Sequence, residues 1–205
     1  MKKLVYSFSV LVLLITMSSA GKNQKNLKEA TFGNGCFWCT EAIFQRLEGV
    51  EVVRSGFSGG HIKNPAYREV VSGRTGHAEV IELTYDADKI SFVELLEVFF
   101  ATHDPTTLNR QGYDVGTQYR SAVFYHDEQQ KLEAEAMIQA LTLAEVFDDP
   151  IVTEVTEFDA FYEADDYHQN YYNDNKNQPY CVAVINPKLD KFLKNYKDKL
   201  KKDYQ

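Results

Sequence analysis

Residues 31–41, TFGNGCFWCTE, commit this chain to a strand, a glycine turn and a helix in direct succession. Ala30, Thr31 and Phe32 favour a strand, and Gly33-Asn34-Gly35 breaks it. Phe37, Ile43, Phe44 and Leu47 then recur at helical spacing, which predicts a helix over 37–47. A unit of this kind sets Cys36 at or near a helix N-terminus. The unpaired amides and the positive end of the helix dipole there favour thiolate over thiol, and so a nucleophile. The competing reading is that Cys36 and Cys39 are small core residues packed beside Phe37 and Trp38.

The rest of the chain reads as one α/β domain. Val50, Val52 and Val53 predict a strand that gives way to a loop in Ser55-Gly56-Phe57-Ser58-Gly59-Gly60. A further strand follows Gly76-His77-Ala78 and ends near Tyr85. Along it Glu79 shares side-chain parity with Ile81 and Leu83, whereas Val80 and Glu82 fall on the other face. Glu79 is therefore either the solvated start of this strand or an inward carboxyl whose pKa is raised by desolvation. Ser91 and Glu94 form a capping box for a helix to Ala101. Residues 102–118 form a long polar loop, residues 119–125 a strand, and Asp127 caps a helix to Leu143 with Leu132, Ala136, Met137, Ala140 and Leu141 inward. Residues 151–158 read as a strand and residues 161–180 as an acidic, solvated and partly packed segment. Cys181 falls in a short strand-like run, and the last helix opens with Asn186 as its cap and Pro187 at its first position.

Lys2 and Lys3, an apolar run over residues 4–17 and the small residues Ser18-Ser19-Ala20 have the form of a cleaved secretory signal. The expected division is a signal at 1–20, a flexible leader at 21–29 and a single domain at 30–205. The expected location is periplasmic or extracellular, with a membrane anchor the alternative. The formal charge of −8 becomes −10 once residues 1–20 and their two lysines are removed, which argues against nucleic acid as a partner. Three cysteines leave at least one thiol unpaired, a pattern that suits redox chemistry better than a structural staple.

Two functional readings follow from the cysteines alone. A zinc site would use Cys36 and Cys39, but no second pair stands at ligand spacing. A thioredoxin-like disulfide exchanger also sets C-x-x-C at a helix start, yet it leaves the other motifs unexplained. Those motifs are Gly73-x-Thr75-Gly76-His77-Ala78-Glu79, Gln111-Gly112-x-Asp114-x-Gly116-Thr117-Gln118-Tyr119-Arg120-Ser121 and His168-Gln169-x-Tyr171. Together with Gly35-Cys36-Phe37-Trp38, in this order and spacing, they resemble the peptide methionine sulfoxide reductase A family.

The resemblance implies a two-layer α/β (α+β) sandwich with a mixed sheet and a ferredoxin-like split βαβ core. It implies thiol-dependent reduction of the S epimer of methionine sulfoxide in oxidised proteins and peptides, with no metal or organic cofactor. It assigns Cys36 as nucleophile and Glu79 as proton donor. Tyr67, Asp114 and Tyr119 surround the sulfoxide oxygen, and Phe37 and Trp38 line the pocket for the S-methyl group. A sulfenic acid on Cys36 would condense with a second thiol, and a thioredoxin-like partner would supply the electrons. Many family members carry glycine where this chain has Cys39, so Cys39 and Cys181 are both candidate resolving cysteines. Cys181 is expected to be the main one, because residues 173–179 read as a mobile loop and a bond within one helix turn is strained. A monomer is the default expectation.

Overall fold

The computed structural model describes residues 25–205, so the expected signal at 1–20 lies outside the described residues. The main strands are β1 (Leu27–Asn34), β2 (Val50–Ser58), β3 (Ala78–Asp86), the short hairpin β4 (Arg110–Gln111) and β5 (Asp114–Val115), β6 (Ser121–Tyr125), β7 (Glu154–Glu157) and β8 (Tyr162–Glu163). The helices are α1 (Phe37–Phe44), α2 (Tyr67–Val70), α3 (Phe92–Ala101), α4 (Glu128–Leu143), α5 (Tyr171–Asp174) and α6 (Asn186–Asn195). β1 begins at Leu27, so residues 27–29, expected in the leader, are already part of the sheet.

Six strands form one sheet in the order β7-β6-β1-β3-β2-β8. β3 is antiparallel to both β1 and β2, so those two run parallel with β3 inserted between them and α1 connecting them. β6 is antiparallel to β1, which makes β3 and β6 a second parallel pair split by β1 and joined across α3. Two interleaved βαβ units of this kind are the split arrangement expected of a ferredoxin-like core. β7 adds in parallel to β6, so the sheet is mixed.

The main core lies between the sheet and helices α1, α3 and α6, with Phe32, Phe44, Phe99 and Phe192 fully buried. A smaller cluster of Ala78, Val80, Ala122 and Phe124 packs beneath Phe158 and Phe161. Ile81, Leu83 and Tyr85 belong to the main core and Val80 to the smaller cluster, so the two faces of β3 divide by side-chain parity. Glu79 shares the parity of the main-core face.

Four local expectations are corrected. The glycine run after Val53 is not a loop, because β2 continues to Ser58. A Cβ on Gly56 would lie 2.4 Å from the Phe161 ring and 2.5 Å from the Tyr162 carbonyl, so glycine here admits β8 to the sheet edge. In α4 the inward stripe is Gln130, Ala134, Met137, Ile138 and Leu141, while Leu132, Ala136 and Ala140 are exposed. Gln130 heads that stripe because its side chain accepts from the His126 amide and donates to the Glu29 carbonyl. Residues 181–185 form a helical turn rather than a strand, continuous with α6, and Asn186 makes no cap there. Its side chain instead accepts from the Tyr172 hydroxyl at 2.9 Å.

Candidate active site

Gly35 has φ +97°, and the Gln111 side chain fills the space a Cβ would need, so only glycine makes this turn without strain. The turn delivers Cys36 as the N-cap of α1 with extended dihedrals, its carbonyl accepting from the Cys39 amide at 3.1 Å. The helix therefore begins at Phe37. The amide of Phe37, one of the unpaired donors of the first turn, points at a carboxyl: it donates to Glu79 Oε2 at 3.2 Å.

Glu79 is thus the inward carboxyl and not a solvated strand start. It is 2% exposed. Burial pushes its pKa up to about 8, the Phe37 amide pulls the other way, and the negative charge of Asp114 pushes it up further. At neutral pH it is a protonated acid. Cys36 departs from expectation, since its thiol is pushed well above the usual cysteine range, first by burial, then by Cys39 and Glu79. The helix terminus does not outweigh loss of solvent. Cys39 moves the opposite way, lowered by a hydrogen bond from Cys36 and by the Lys188 ammonium against the effect of burial.

Tyr67 stands at the first position of α2 and Tyr119 at the end of a turn over Thr117–Tyr119. Gln118 Nε2 donates to the Val71 carbonyl at 3.3 Å, and Thr117 Oγ1 donates to that of Gly73 at 3.4 Å, so the two tyrosine-bearing segments are tied together. Burial raises both phenols, Tyr67 to about 12, and the charges of Glu79 and Cys36 raise them further. Both are therefore hydroxyl donors at any physiological pH. Asp114 accepts a 2.8 Å hydrogen bond from the hydroxyl of Tyr180, which also lies 3.8 Å from Cys39 Sγ.

The aromatic wall is built from two parts of the chain. Phe37 is buried against Phe57, Tyr67 and His168. Trp38 is stacked on Tyr171 with centroids 3.7 Å apart and an 8° interplanar angle, and its indole N–H donates to His168 Nδ1 at 3.2 Å. Tyr180 meets the Trp38 ring edge-on. Gln169 anchors this segment to β2 by accepting from the Ser55 amide and donating to the Ser55 carbonyl, both at 2.9 Å. The packed part of residues 161–180 therefore also lines the site. His168, Tyr171 and Tyr180 belong to the site, and the His168-Gln169-x-Tyr171 motif was the signal for the first two.

Cys36, Cys39, Asp114, Tyr180 and Lys188 border a cavity of about 250 Å³. A larger groove of about 900 Å³ between the end of α3 and α6 shares Gln111, Val184 and Lys188 with it, but holds neither cysteine. Cys181 is fully buried in the helical turn behind Tyr180, away from the lining of the smaller cavity. All three cysteines are free thiols. Among the described residues, no cluster of three or more His, Cys, Asp or Glu stands ready for a metal. The arrangement sets a thiol next to a neutral acid and two hydroxyl donors, beside an aromatic pocket, which is the equipment for protonating an oxygen as sulfur attacks its carrier.

A family model described as peptide methionine sulfoxide reductase matches residues 28–201. A relative named peptide methionine sulfoxide reductase MsrA, from Sulfolobus acidocaldarius, is 54% identical over 173 residues, 84% of this chain and 97% of that protein. One of the same name from Leptospira borgpetersenii is 55% identical over 168 residues, covering 82% and 94% respectively. Among solved structures, methionine sulfoxide reductase A of Corynebacterium diphtheriae superposes with a TM-score of 0.67 at 36% identity, over 75% of this chain and 77% of that one. Reduced Mxr1 from Saccharomyces cerevisiae gives 0.69 at 32% identity, over 76% and 89%.

Proposed function

The chain belongs to the peptide methionine sulfoxide reductase A family, and from that premise we propose that it reduces the S epimer of methionine sulfoxide to methionine through Cys36. Peptide-bound sulfoxide is the main substrate and the free amino acid a further one. The observation that carries this reading is the buried, protonated Glu79 held by the first amide of the helix that Cys36 caps.

The Cys36 thiolate attacks the sulfoxide sulfur while Glu79 gives its proton to the sulfoxide oxygen, with Tyr67 and Tyr119 as hydroxyl donors to the same oxygen and Asp114 beside them. The oxygen ends on Cys36 as a sulfenic acid and methionine leaves. The substrate sulfur gains the two electrons that the Cys36 sulfur loses. Phe37 and Trp38 hold the S-methyl group, and so decide which face of the sulfur meets Cys36. Glu79 keeps its proton until the oxygen takes it, which spares the nascent thiolate a negative neighbour.

A second thiolate then attacks the sulfenic sulfur, a disulfide forms, and the hydroxyl leaves as water after taking a proton. We propose Cys39 for this step, where the sequence reading put Cys181 first, and the support is geometric. Cys39 shares the cavity with Cys36, while Cys181 lies fully buried in a helical turn outside its lining. Cys36 is an N-cap with extended dihedrals, so the pair is not confined to helical geometry. Cys181, whose raised pKa reflects burial and then the charge of Cys39, receives the disulfide from Cys39. A thioredoxin-like dithiol returns both electrons.

Cysteine variants test this scheme. With dithiothreitol and no added metal the wild type should form methionine from the sulfoxide, and Cys36→Ser should form none, because a hydroxyl in this site stays un-ionised. With a thioredoxin as sole reductant, Cys39→Ser should complete one turnover and stall as sulfenic acid. Cys181→Ser should stall one step later, as a Cys36–Cys39 disulfide seen by mass. A stall of Cys181→Ser as sulfenic acid would restore Cys181 to the first position.

We further propose that the enzyme acts outside the cytosol. The support is the order Lys2-Lys3, apolar run and Ser18-Ser19-Ala20 in the sequence. The mass of protein recovered from its native cells should correspond to an N-terminus at Gly21, and an intact Met1 would instead mark the leader as an anchor.

A further inference from the structure

One member of the opening motif has no part in this chemistry. Glu41 stands on α1 and is 3% exposed, although it is charged in water and no cation among the described residues pairs with it. Its Oε1 accepts from the amide of Asn170 at 2.8 Å, and the amide of Tyr171 also acts on the same carboxyl. Its Oε2 is buried and meets no partner among the described residues. Asn170 holds φ +52°, the left-handed conformation that turns the chain from His168-Gln169 into α5, and it makes no side-chain cap for that helix. Glu41 takes instead the amides of the N-cap residue itself and of the first helical residue, reaching across from another helix.

The two amides in question lead directly to the substrate pocket. Tyr171 is the ring on which Trp38 stacks, and His168, two residues before Asn170, accepts the indole N–H. We propose that Glu41 is a positioning residue for the methyl pocket: its carboxyl fixes the backbone at Asn170 and Tyr171, and through Tyr171 it fixes the plane of the Trp38 indole. Glu41 and Trp38 stand three residues apart on the same helix, so the motif carries both the pocket wall and the brace behind it. A helix of only four residues cannot hold its own N-terminus by cooperativity. The segment is pinned by other elements instead: Gln169 bonds β2 and Glu41 of α1 takes the Asn170 amide, while Arg46 bonds Asn173 and Tyr172 bonds Asn186 further along. The inference rests on the reading of Trp38 as the wall that receives the S-methyl group.

This chain contains a single tryptophan, so its fluorescence reports on Trp38 alone. Two variants separate the hydrogen bond from the volume. Glu41→Gln keeps an acceptor where Oε1 sits and puts its amide nitrogen where Oε2 has no partner. It should keep the wild-type emission maximum and a kcat/KM within about threefold, since no buried amide loses its acceptor. Glu41→Leu fills similar space and leaves the amides unpaired. Its Trp38 emission should shift red with greater access to acrylamide, its KM should rise, and kcat/KM should fall by up to about 10²-fold, the cost of a misplaced pocket. It should also discriminate less between the sulfoxides of methionine and ethionine.

Glu41→Leu with wild-type emission and wild-type methyl preference would overturn the proposal, as would a Glu41→Gln protein as impaired as Glu41→Leu. Should Glu41→Leu not fold, amide exchange in the wild type decides: Asn170 and Tyr171 should be protected like the core of α1, and exchange as fast as in an open loop would overturn the assignment. If the wild type reduces no sulfoxide, the functional reading fails, while the emission and exchange measurements still judge the brace.

Discussion

Glu79 is drawn two ways by its surroundings: burial favours the neutral acid, and the Phe37 amide at 3.2 Å favours the carboxylate. Burial wins, leaving a pKa near 8. Cys36 beside it is raised as well, so the resting pair holds two protons and the reacting form holds one, with the thiol ionised and the acid neutral. Because both groups contribute to each observed ionisation, the pH profile belongs to the pair. The single-turnover rate of methionine formation should therefore rise, peak and fall as pH increases. Glu79→Gln should slow that step by about 10²- to 10⁴-fold, the usual worth of a positioned general acid. It should also lose the alkaline fall, since no acid remains to be deprotonated, and its rate should climb to a plateau as Cys36 ionises. Rapid-quench counting of methionine from pH 5 to 10 reads both effects. A variant at the wild-type rate would move the proton to Tyr67 or Tyr119.

At the scale of elements, what was legible in the sequence was whatever local chemistry decides. The Ser91–Glu94 capping box, the Asp127 cap and the strand–turn–helix around Cys36 depend on neighbours in sequence, and the structure forms each of them. The strand parity that puts Glu79 with Ile81 and Leu83 survives for the same reason. What failed was set by contacts distant along the chain. Gly56 looks like a loop residue until Phe161 arrives over it. Gln130 looks like a surface residue until it bonds Glu29, about a hundred positions earlier. Val182, Val184 and Ile185 have the side chains of a strand, yet they continue a helical turn because Cys181 and Ile185 bury against the main core. The pocket divides likewise: Cys36, Phe37 and Trp38 were legible as one motif, whereas Tyr180 becomes visible only when its hydroxyl meets Asp114.

The whole molecule carries the cost of this site in its dependence on pH. Glu79, near 8, and Glu41, near 7, both bind protons more tightly in the folded chain than in the unfolded one, so both withdraw stability as pH rises from the ordinary carboxyl range. His103 acts in the opposite sense. Buried between the Phe99 carbonyl and Ser121, it is lowered to about 3, so the unfolded chain takes up its proton first and stability grows as pH rises to the ordinary histidine range. Below the ordinary histidine pKa of about 6.5 these slopes oppose one another. Above it the histidine is neutral in both states and Glu79 acts with only the tail of Glu41. Stability should then peak on the acid side of neutrality and fall toward pH 8 at up to about 1.4 kcal/mol per pH unit for each such carboxyl. For a chain of this size that is roughly 2–4 °C in Tm for each kcal/mol. Glu79→Gln keeps an acceptor for the Phe37 amide and has nothing to ionise, so its Tm should decline less between pH 6.5 and 8 and exceed that of the wild type most at the alkaline end. Thermal unfolding of the two proteins across pH 5–9 measures the difference directly. Parallel curves would mean that Glu79 is already ionised in the folded protein at neutral pH, leaving no proton there to give to the sulfoxide oxygen.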